Sequence, residues 1–316
     1  MVEVENNVFN FQNVVSEGKI FFNEPLKFHI SIKVGGIADY YIEPNSESEL
    51  INILNLLNEN HIPLIIIGNG TNIIVSDRGI IGAVLNLESL RNIEIDEENI
   101  ITIETGVLMN RFVDFCIKNN FQGVEMLSGI PGTIGGAIVM NAGAYGNDIS
   151  NYLIDVKVFE NGTIKIVTKD EANFSYRFSN FQSNKSIILS ARFKFPKGKF
   201  EELRSVRAML LKKRNSSQPL NFPNCGSIFK NPYPNYAAKI IEEIGFKGFR
   251  IGDAQVSEKH SNFIVNLGNA TANDILSIVK EIIKTVKDKK QIQLEMEVKL
   301  LGFEEDELKG IVYAKK

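Results

Sequence analysis

The segment from Gly123 to Gly146, GVEMLSGIPGTIGGAIVMNAGAYG, constrains the fold more than any other part of this chain. Its seven glycines stand at positions 123, 129, 132, 135, 136, 143 and 146, and no charged side chain occurs between Leu127 and Val139. Glycine admits positive φ and lets another group approach the backbone closely, so this run predicts main-chain N–H groups that line a bound anion such as a pyrophosphate. A tight, buried corner between two layers of sheet explains the glycines equally well.

Length and composition fit an enzyme of more than one domain. At 316 residues the chain is too long for one small core, which predicts two or three domains. Hydrophobic residues make up 44% and charged residues 23%, an ordinary balance for a soluble globular protein. The net charge of -3 lacks the basic excess of a nucleic-acid binder, so no nucleic-acid partner is expected.

Targeting, disulfide and metal signals are weak. Residues 1–10 carry acidic side chains and no apolar run, which argues against a signal peptide. No apolar run approaches the ~20 residues that span a bilayer, so no membrane span is expected. The two cysteines cannot build a disulfide framework, and the three histidines lack metal-ligand spacing. A cytoplasmic protein without a bound metal is the prediction.

Strand and helix signals alternate along the chain, which predicts a mixed α and β fold. Alternating apolar residues on either side of Gly35–Gly36 predict two strands joined by a tight turn within residues 25–44. Ser46 followed by Glu49 is a capping box that predicts a helix start. Further strands are predicted at 64–67, 73–75, 100–104, 186–195, 249–256, 262–266 and 293–301, a hairpin at 155–167, and helices at 107–118, 200–214, 235–244 and after a second capping box at Thr271.

The loop at 68–72, GNGTN, predicts phosphate or ribose contacts, because glycines expose N–H groups while Asn and Thr add short donors. A Rossmann domain is disfavoured, since Ile73 stands where the third glycine of the dinucleotide fingerprint belongs. The basic residues 212–214 are interpreted as solvated charges that complement a helix C-terminus. Residues 215–223, rich in Ser, Asn and Pro, are predicted to be a linker.

The chain resembles the UDP-N-acetylenolpyruvoylglucosamine reductases, flavoenzymes of peptidoglycan synthesis. The resemblance lies in five stretches that follow the family's order, GNGTN (68–72), LSGIPGTIGGAIVMNAGAYG (127–146), SYRFS (175–179), CGSIFKNP (225–232) and LEMEVKLLG (294–302). It implies an α+β fold with a two-subdomain FAD-binding part of the vanillyl-alcohol oxidase (PCMH) type and a C-terminal α+β substrate-binding domain. The implied boundaries are 1–90, 91–214 and 215–316.

The resemblance also implies the cofactor and its site. Non-covalent FAD is expected, because no FAD-linking His or Cys occurs in a matching context, and NADPH is the expected electron donor. The FAD contacts implied by the matched motifs are Gly68, Asn69, Gly70, Thr71, Asn72, Ser128, Gly129, Ile130, Pro131, Gly132, Thr133, Gly136, Asn141 and Gly143.

The family reaction reduces the enolpyruvyl ether of UDP-N-acetylglucosamine to the lactyl ether of UDP-N-acetylmuramate. Negative charge develops beside the substrate carboxylate, so a fixed cation and a proton donor are needed. The resemblance gives Arg177 the first role and Ser227 the second, while Glu297 polarises or orients the substrate. Non-catalytic alternatives are a structural ion pair for Arg177 and a turn position for Ser227. Glu295 is the alternative to Glu297.

The matched motifs imply Tyr176, Lys230 and Asn231 as further substrate contacts, and His260 and Asn262 are expected to line the same pocket. Cys225 is interpreted as a small packing residue, because no histidine is near in sequence to activate it. A single strand, a helix and a short linker separate Arg177 from Ser227, so the chain resembles the short subtype that lacks an inserted loop with a substrate-closing tyrosine.

Two other functions compete with this prediction. The first is a flavin oxidase or dehydrogenase of the same fold that uses oxygen as acceptor, and the motifs at 225–232 and 294–302 argue against it. The second is a catalytically silent nucleotide-sugar binding protein, since fold and cofactor do not prove chemistry. A monomer is expected, with a weak homodimer as the alternative.

Overall fold

The structure is a computed structural model that describes residue 11 and residues 14–313. The expectation that residues 1–10 are not a signal peptide lies outside the described residues. The strands are β1 (Lys19–Pro25), β2 (Ile37–Glu43), β3 (Leu64–Ile67), β4 (Ile73–Val75), β5 (Ile80–Asn86), β6 (Ile93–Ile95), β7 (Ile100–Glu104), β8 (Gly143–Ala144), β9 (Asn147–Asp148), β10 (Leu153–Glu160), β11 (Thr163–Thr168), β12 (Ile187–Lys194), β13 (Asn224–Ser227), β14 (Arg250–Ile251), β15 (Ala254–Val256), β16 (Phe263–Asn266) and β17 (Lys299–Leu301).

The α-helices connect or cover these strands. They are α1 (Glu47–Glu59), α2 (Met109–Lys118), α3 (Ile134–Val139), α4 (Phe200–Ser217), α5 (Ala237–Glu243) and α6 (Ala272–Lys290). None of the helices in residues 11 and 14–313 combines the length and the apolar composition that a membrane span needs.

The first sheet has the order β1-β2-β5-β3, with β1 antiparallel to β2 and both β2 and β3 parallel to β5. The predicted pair of strands within residues 25–44 is therefore partly wrong, because the strand before Gly35–Gly36 lies upstream in β1. Residues 26–36 form the connection instead, and it closes with the Leu26 N–H donating to the Gly36 carbonyl at 2.9 Å.

The second sheet has the order β11-β10-β12-β7-β6 and is antiparallel throughout. The predicted hairpin is confirmed, with Asn161 (φ 51°) and Gly162 (φ 78°) both left-handed between β10 and β11, as a type I′ turn requires. Helix α2 packs its apolar face, which includes Phe112 and Cys116, into the core beneath this sheet.

The third sheet has the order β13-β16-β15-β14. The single strand predicted at 249–256 is wrong, because Gly252 (φ 55°) reverses the chain and separates β14 from its antiparallel partner β15. The capping box at Thr271 and Asp274 is confirmed at the start of α6. The apolar stripe of α6 packs in a core that also contains Tyr41 of β2 and Val84 of β5, so the C-terminal part is joined to the first sheet.

The long last strand predicted at 293–301 is regular only in β17, which pairs in parallel with β4. The residues before β17 run alongside the segment around Phe229 and form only isolated backbone hydrogen bonds with it. One of these is the Lys230 N–H donating to the Glu295 carbonyl at 2.9 Å. The predicted alternation is correct, because Leu294, Met296 and Val298 are buried.

Helix α4 extends three residues beyond its predicted end at 214 and so includes the start of the predicted linker. Lys212 and Lys213 are exposed, as predicted for solvated charges. The prediction is wrong for Arg214, which is half-buried and whose pKa is lowered by desolvation. A side chain at Gly129 would lie 2.7 Å from Cδ of Arg214, so this arginine packs against the glycine-rich segment.

Glu49 ties the chain before β1 to the start of α1. The Ser46 hydroxyl accepts the Glu49 N–H at 3.2 Å, as a capping box predicts. The Glu49 carboxylate, however, does not complete that box. It accepts backbone N–H groups from four other residues, Ser16 (2.6 Å), Glu17 (3.1 Å), Gly18 (3.1 Å) and Asn45 (2.6 Å). Burial alone would raise the Glu49 pKa, but these four donors outweigh burial and lower it.

We expect Glu49→Gln to lower the free energy of unfolding by about 2–3 kcal/mol at pH 7, because a buried charged acceptor of four backbone N–H groups is lost. Since the folded-state pKa is lowered, the carboxylate stabilises the fold above its ordinary pKa of about 4.3 and loses this effect as pH falls through the folded-state pKa. Urea unfolding at neutral and acidic pH should show the gap between wild type and variant shrinking in acid.

Glu47→Gln is the matched control, because Glu47 pairs with Lys157 at a partly exposed site. Its expected cost is about 1 kcal/mol or less. An equal loss of stability in the two variants, or a gap for Glu49→Gln that does not change with pH, would contradict the assigned role of the Glu49 carboxylate.

Candidate active site

The three residues predicted to be catalytic come together from distant parts of the chain. Arg177 lies in the turn closed by the Ser175–Phe178 bridge, Ser227 ends β13, and Glu297 precedes β17. Arg177 Nε donates to Glu297 Oε1 at 2.8 Å. The Glu297 N–H donates to the carbonyl of Ile228 at 2.9 Å, which places Glu297 beside the residue that follows Ser227.

Arg177 is held by the glycine-rich segment. Its Nη2 donates to the Gly143 carbonyl at 2.8 Å and its Nη1 to the Asn141 carbonyl at 3.5 Å. Nη1 also lies 3.7 Å from Asp148 Oδ1. A guanidinium has five N–H groups, so the bonds to Gly143, Asn141 and Glu297 leave one N–H on each terminal nitrogen. These remaining N–H groups are available to an anionic ligand such as a carboxylate.

The ion pair considered as the alternative role of Arg177 exists, and its partner is Glu297. Desolvation raises the pKa of Glu297, while the positive charges of Arg177 and Lys230 oppose this rise. The ammonium of Lys230 is therefore close enough to act on the same carboxylate. Glu295, the alternative to Glu297, has its side chain on the adjoining cleft instead.

The Ser227 hydroxyl is free to act on a ligand, whereas the nearby Cys225 thiol is not suited to act as a nucleophile. In the described part of the chain its hydroxyl makes no hydrogen bond, so its proton is available to a ligand. Cys225, two residues earlier, is fully buried, and desolvation raises its pKa to about 12. A thiol of that pKa is not ionised at neutral pH, which fits the predicted packing role.

Two positioning residues were missed from the sequence. Gln182 Nε2 donates to the carbonyls of Arg177 and Val139, both at 3.0 Å, and thereby fixes the main chain of the arginine turn. Lys299 Nζ donates to Gln182 Oε1 at 2.7 Å. The period-two alternation along 294–300 placed Lys299 on the same face as Glu297, but no sequence signal distinguished Gln182.

The two glycine loops predicted to hold the cofactor are in contact. A Cβ at Gly68 would lie 2.3 Å from Thr133 Oγ1, and a Cβ at Gly132 would lie 2.9 Å from Thr71 Oγ1. Gly132 has φ 103°, which side-chain-bearing residues rarely adopt. Both loops therefore require glycine in order to approach each other this closely.

Most main-chain donors of these loops are free. In the described residues, eight of their N–H groups donate no hydrogen bond within the chain, namely those of Gly68, Asn69, Gly70, Thr71, Asn72, Gly129, Gly132 and Thr133. The buried Ser128 Oγ and Asn141 Oδ1 also lack partners. Unpaired buried polar atoms are costly, so a polar ligand is needed to satisfy them. An FAD pyrophosphate and its neighbouring hydroxyls supply the matching acceptors and donors.

The other predicted FAD contacts surround this cradle. Asn72 links it to the catalytic strand, since its Nδ2 donates to the Glu297 carbonyl at 3.2 Å and its carbonyl accepts the Lys299 N–H at 3.0 Å. Gly136 donates its N–H to Thr133 Oγ1 at 3.4 Å in the first turn of α3. Ile130 and Pro131 add apolar surface at the same place.

We expect Gly68→Ala to weaken FAD binding by at least about tenfold, because its methyl group would be forced against Thr133 and separate the two loops. The variant should purify with substoichiometric flavin, measured from its visible absorbance. Gly146→Asn is the control, since Gly146 also lies in the glycine-rich segment, its added Cβ would meet no atom within 4 Å, and asparagine tolerates its positive φ of 80° better than other side chains do. Full flavin content in Gly68→Ala would contradict the cradle.

A cleft of about 580 Å³ opens beside the residues predicted to be catalytic. Three of the predicted substrate contacts, Tyr176, Lys230 and Asn231, line it. Asn231 has a structural task as well, because its Oδ1 accepts the Ala237 N–H at 3.0 Å at the start of α5.

The structure does not bring His260 and Asn262 into the cleft. Asn262 is buried, and both ends of its amide bond the backbone of Phe229, at 3.0 Å and 2.8 Å. It supports the strand that carries Ser227 rather than lining the pocket. His260 packs edge-on against Phe263, its Nδ1 lacks a partner, and desolvation lowers its pKa. In residues 11 and 14–313, no group of three His, Cys, Asp or Glu side chains could hold a metal ion.

Two family models match the chain. One, described as an FAD binding domain, matches residues 38–168. The other, described as the C-terminal domain of UDP-N-acetylenolpyruvoylglucosamine reductase, matches residues 218–301. The first model contains both glycine loops, and the second contains Ser227 and Glu297.

Individual proteins match over nearly the whole chain. A UDP-N-acetylenolpyruvoylglucosamine reductase of Caldanaerobacter subterraneus subsp. tengcongensis is 44% identical over 296 residues, which are 93% of this chain and 98% of the relative. One of Clostridium botulinum strain 657 is 38% identical over 305 residues, 96% and 99% of the two chains. The crystal structure of a UDP-N-acetylenolpyruvylglucosamine reductase from Thermus caldophilus superposes with a TM-score of 0.77 at 29% identity, covering 90% of this chain and 98% of that one.

These matches confirm the predicted α+β fold class, with an FAD-binding part and a distinct C-terminal domain. The short subtype is confirmed as well, since β12 and α4 are the only strand and α-helix that the described chain places between Arg177 and β13. From the sequence identity, the shared fold and the matched domains, the chain belongs to the UDP-N-acetylenolpyruvoylglucosamine reductase family and is an FAD-dependent oxidoreductase.

Proposed function

We propose that this enzyme reduces UDP-N-acetylglucosamine enolpyruvate to UDP-N-acetylmuramate, with NADPH as electron donor, in peptidoglycan precursor synthesis. The observation that carries the proposal is the meeting of Arg177, Ser227 and Glu297 beside the glycine cradle. The names of the relatives supply the substrate, and the cleft next to Arg177 has room for part of a nucleotide sugar.

FAD, when bound, supplies the chemistry of accepting a hydride from NADPH and delivering one to the methylene carbon of the enolpyruvyl group. The residues of the chain lower the barrier to hydride addition at that methylene carbon. In our proposal the two free N–H groups of Arg177 hold the substrate carboxylate, into which negative charge spreads as the hydride arrives. A fixed, half-buried cation at this point stabilises the transition state more than the ground state.

Ser227 is proposed to complete the reduction. Its hydroxyl gives a proton to the carbon next to the carboxylate, so that one hydride and one proton add across the carbon–carbon double bond. A serine hydroxyl is a weak acid in water, and the neighbouring positive charges of Arg177 and Lys230 favour the alkoxide that remains. Solvent then returns the proton to Ser227.

Glu297 is proposed to act through Arg177. Its bond to Arg177 Nε fixes the plane of the guanidinium and directs the unoccupied N–H pair away from itself. Because Glu297 is itself hydrogen-bonded through its backbone to Ile228, the arginine and the serine are held in one frame. This arrangement pre-organises the site and avoids reorientation during the reaction.

Further parts of the proposal concern the whole molecule. The division into 1–90, 91–214 and 215–316 is supported by the three larger sheets, each of which lies within one range, whereas β4 and β17 pair across the first and third ranges. A cytoplasmic location fits the two buried free thiols. The monomeric state is proposed from the sequence alone, and a sizing column with light scattering tests it.

Steady-state NADPH oxidation by the purified holoenzyme tests the proposed function. It should require UDP-N-acetylglucosamine enolpyruvate, and mass spectrometry should show a product heavier than that substrate by two hydrogens. NADPH oxidation that depends on oxygen and ignores the nucleotide sugar would favour a flavin oxidase instead. Tight nucleotide-sugar binding with no turnover would favour a silent binding protein.

A further inference from the structure

One side chain at the mouth of the cleft has no partner in the enzyme. Tyr233 is 97% exposed, more than any other large apolar or aromatic side chain in the described residues, and it lines the cleft. No ring contact or hydrogen bond engages it there. An aromatic ring kept in water at a pocket rim gains free energy when a flat ligand covers it.

The segment that carries Tyr233 is fastened at both ends. Asn231 Oδ1 accepts the Ala237 N–H at 3.0 Å, and the Asn235 N–H donates to the Pro232 carbonyl at 2.7 Å. Tyr233 is therefore presented at the rim by a closed turn rather than by a free loop. A ring held in this way costs less entropy to use in binding.

The order of side chains along this segment matches the order of groups in a nucleotide sugar. Lys230 is at the inner end, where its charge acts on Glu297, and a point charge there suits a diphosphate. Tyr233 is three residues farther out, a reach of up to about 10 Å. The base of a nucleoside diphosphate lies outward from its phosphates, on the side away from the sugar that carries the reacting group.

The lining of the cleft suits a neutral ring with polar edges. The amide side chains of Asn173, Asn180 and Gln293 line it. Asn180 Nδ2 and Gln293 Nε2 already donate to the carbonyls of Glu171 and Leu294, which leaves their amide oxygens, and both ends of the Asn173 amide, to a ligand. Tyr176 forms another part of the wall, where Arg177 Cζ lies 5.1 Å from its ring centroid and steadies it. Uracil presents complementary carbonyl and N–H groups along its edge.

We propose that Tyr233 stacks on the uracil ring of the nucleotide-sugar substrate and closes the outer end of the cleft. This inference rests on the proposed function, since it assigns one part of that substrate to one residue. The alternative occupant of the same ring is the adenine of the dinucleotide electron donor, and the two half-reactions distinguish them.

Calorimetric titration of UDP into the oxidised holoenzyme is the first test. Tyr233→Ala should weaken UDP binding by about tenfold or more, the scale of one base–aromatic stack. Tyr233→Phe should retain the wild-type affinity, because stacking needs the ring and not the hydroxyl. Tyr236→Ala is the control, since Tyr236 is also exposed on this segment but does not line the cleft. Unchanged affinity in Tyr233→Ala, or an equal loss in Tyr233→Phe, would overturn the stacking proposal.

The second test separates the two occupants. With Tyr233→Ala the KM for the enolpyruvyl nucleotide should rise about tenfold at nearly constant kcat, while the concentration dependence of flavin reduction by NADPH should stay as in wild type. A change confined to the NADPH half-reaction would overturn the uracil assignment in favour of adenine. Failure of the proposed function looks different, because wild type itself would then neither bind UDP nor reduce the enolpyruvyl substrate.

Discussion

Ser227→Ala should leave flavin reduction by NADPH nearly intact and slow flavin reoxidation by the enolpyruvyl substrate by about 10²- to 10⁴-fold. The hydroxyl contributes a proton only after hydride transfer to the substrate, so its loss affects one half-reaction. The fold should tolerate the change, since the Ser227 hydroxyl makes no hydrogen bond in the described part of the chain. Rapid mixing of each half-reaction separately, without oxygen, measures both rates.

Ser277→Ala serves as the control for this variant. Ser277 lies on the surface of α6, where its hydroxyl bonds the Asn273 carbonyl at 2.8 Å, far from the proposed chemistry. Both half-reactions should run at the wild-type rate. Equal slowing of the two half-reactions in Ser227→Ala would remove Ser227 from the role of proton donor.

Arg177→Met should slow substrate reduction by about 10³-fold or more, because the charge that develops on the substrate carboxylate loses its fixed cation. Arg177→Lys should recover little of this rate, since an ammonium has no planar fork and cannot contact Gly143, Glu297 and a carboxylate at once. Flavin reduction by NADPH should change much less than reoxidation by substrate.

The same variant has a second expected consequence. Without Arg177, the largely buried Glu297 loses its counter-ion. Arg177→Met should therefore lower the free energy of unfolding, measured by urea unfolding, by about 3 kcal/mol. Arg177→Met combined with Glu297→Gln should regain stability but no activity, which separates the structural ion pair from the chemistry. Arg192→Lys, in the partly exposed pair with Asp155, should leave the rates unchanged. Recovery of activity in the double variant would contradict the role proposed for Arg177.

Local patterns predicted much of the fold. The Asn161–Gly162 turn, the cap at Thr271 and the burial of Leu294, Met296 and Val298 each depend on residues close in sequence, and all are present. The division of 249–256 into two strands also had a local signal, since Gly252 followed by Asp253 is typical of a turn. The apolar residues on both sides of this turn signal favour one continuous strand instead.

Long-range contacts could not be predicted in the same way. Strand β4 pairs with β17 from the far end of the chain, and the Glu49 carboxylate binds the backbone of residues 16–18 instead of its own helix cap. Both depend on where tertiary packing brings distant segments, which short-range periodicity does not encode.

The active site shows the same division. Motif resemblance predicts Arg177, Ser227 and Glu297 as catalytic residues, and the structure brings them together, but the resemblance does not predict the 2.8 Å bond from Arg177 Nε to Glu297 Oε1. It also missed Gln182 and Lys299, which hold the arginine turn from behind. Asn262 and His260 were assigned to the pocket from their place in the chain, whereas backbone bonding and packing hold them beside it.

Anaerobic stopped-flow of the wild-type holoenzyme tests the central claim most directly. Flavin absorbance should bleach when NADPH is mixed with the enzyme and return only when UDP-N-acetylglucosamine enolpyruvate is added. That sequence would establish the donor, the acceptor and the competence of the Arg177–Glu297–Ser227 site together. A protein that lacks flavin, or a reduced flavin that only oxygen reoxidises, would contradict the account.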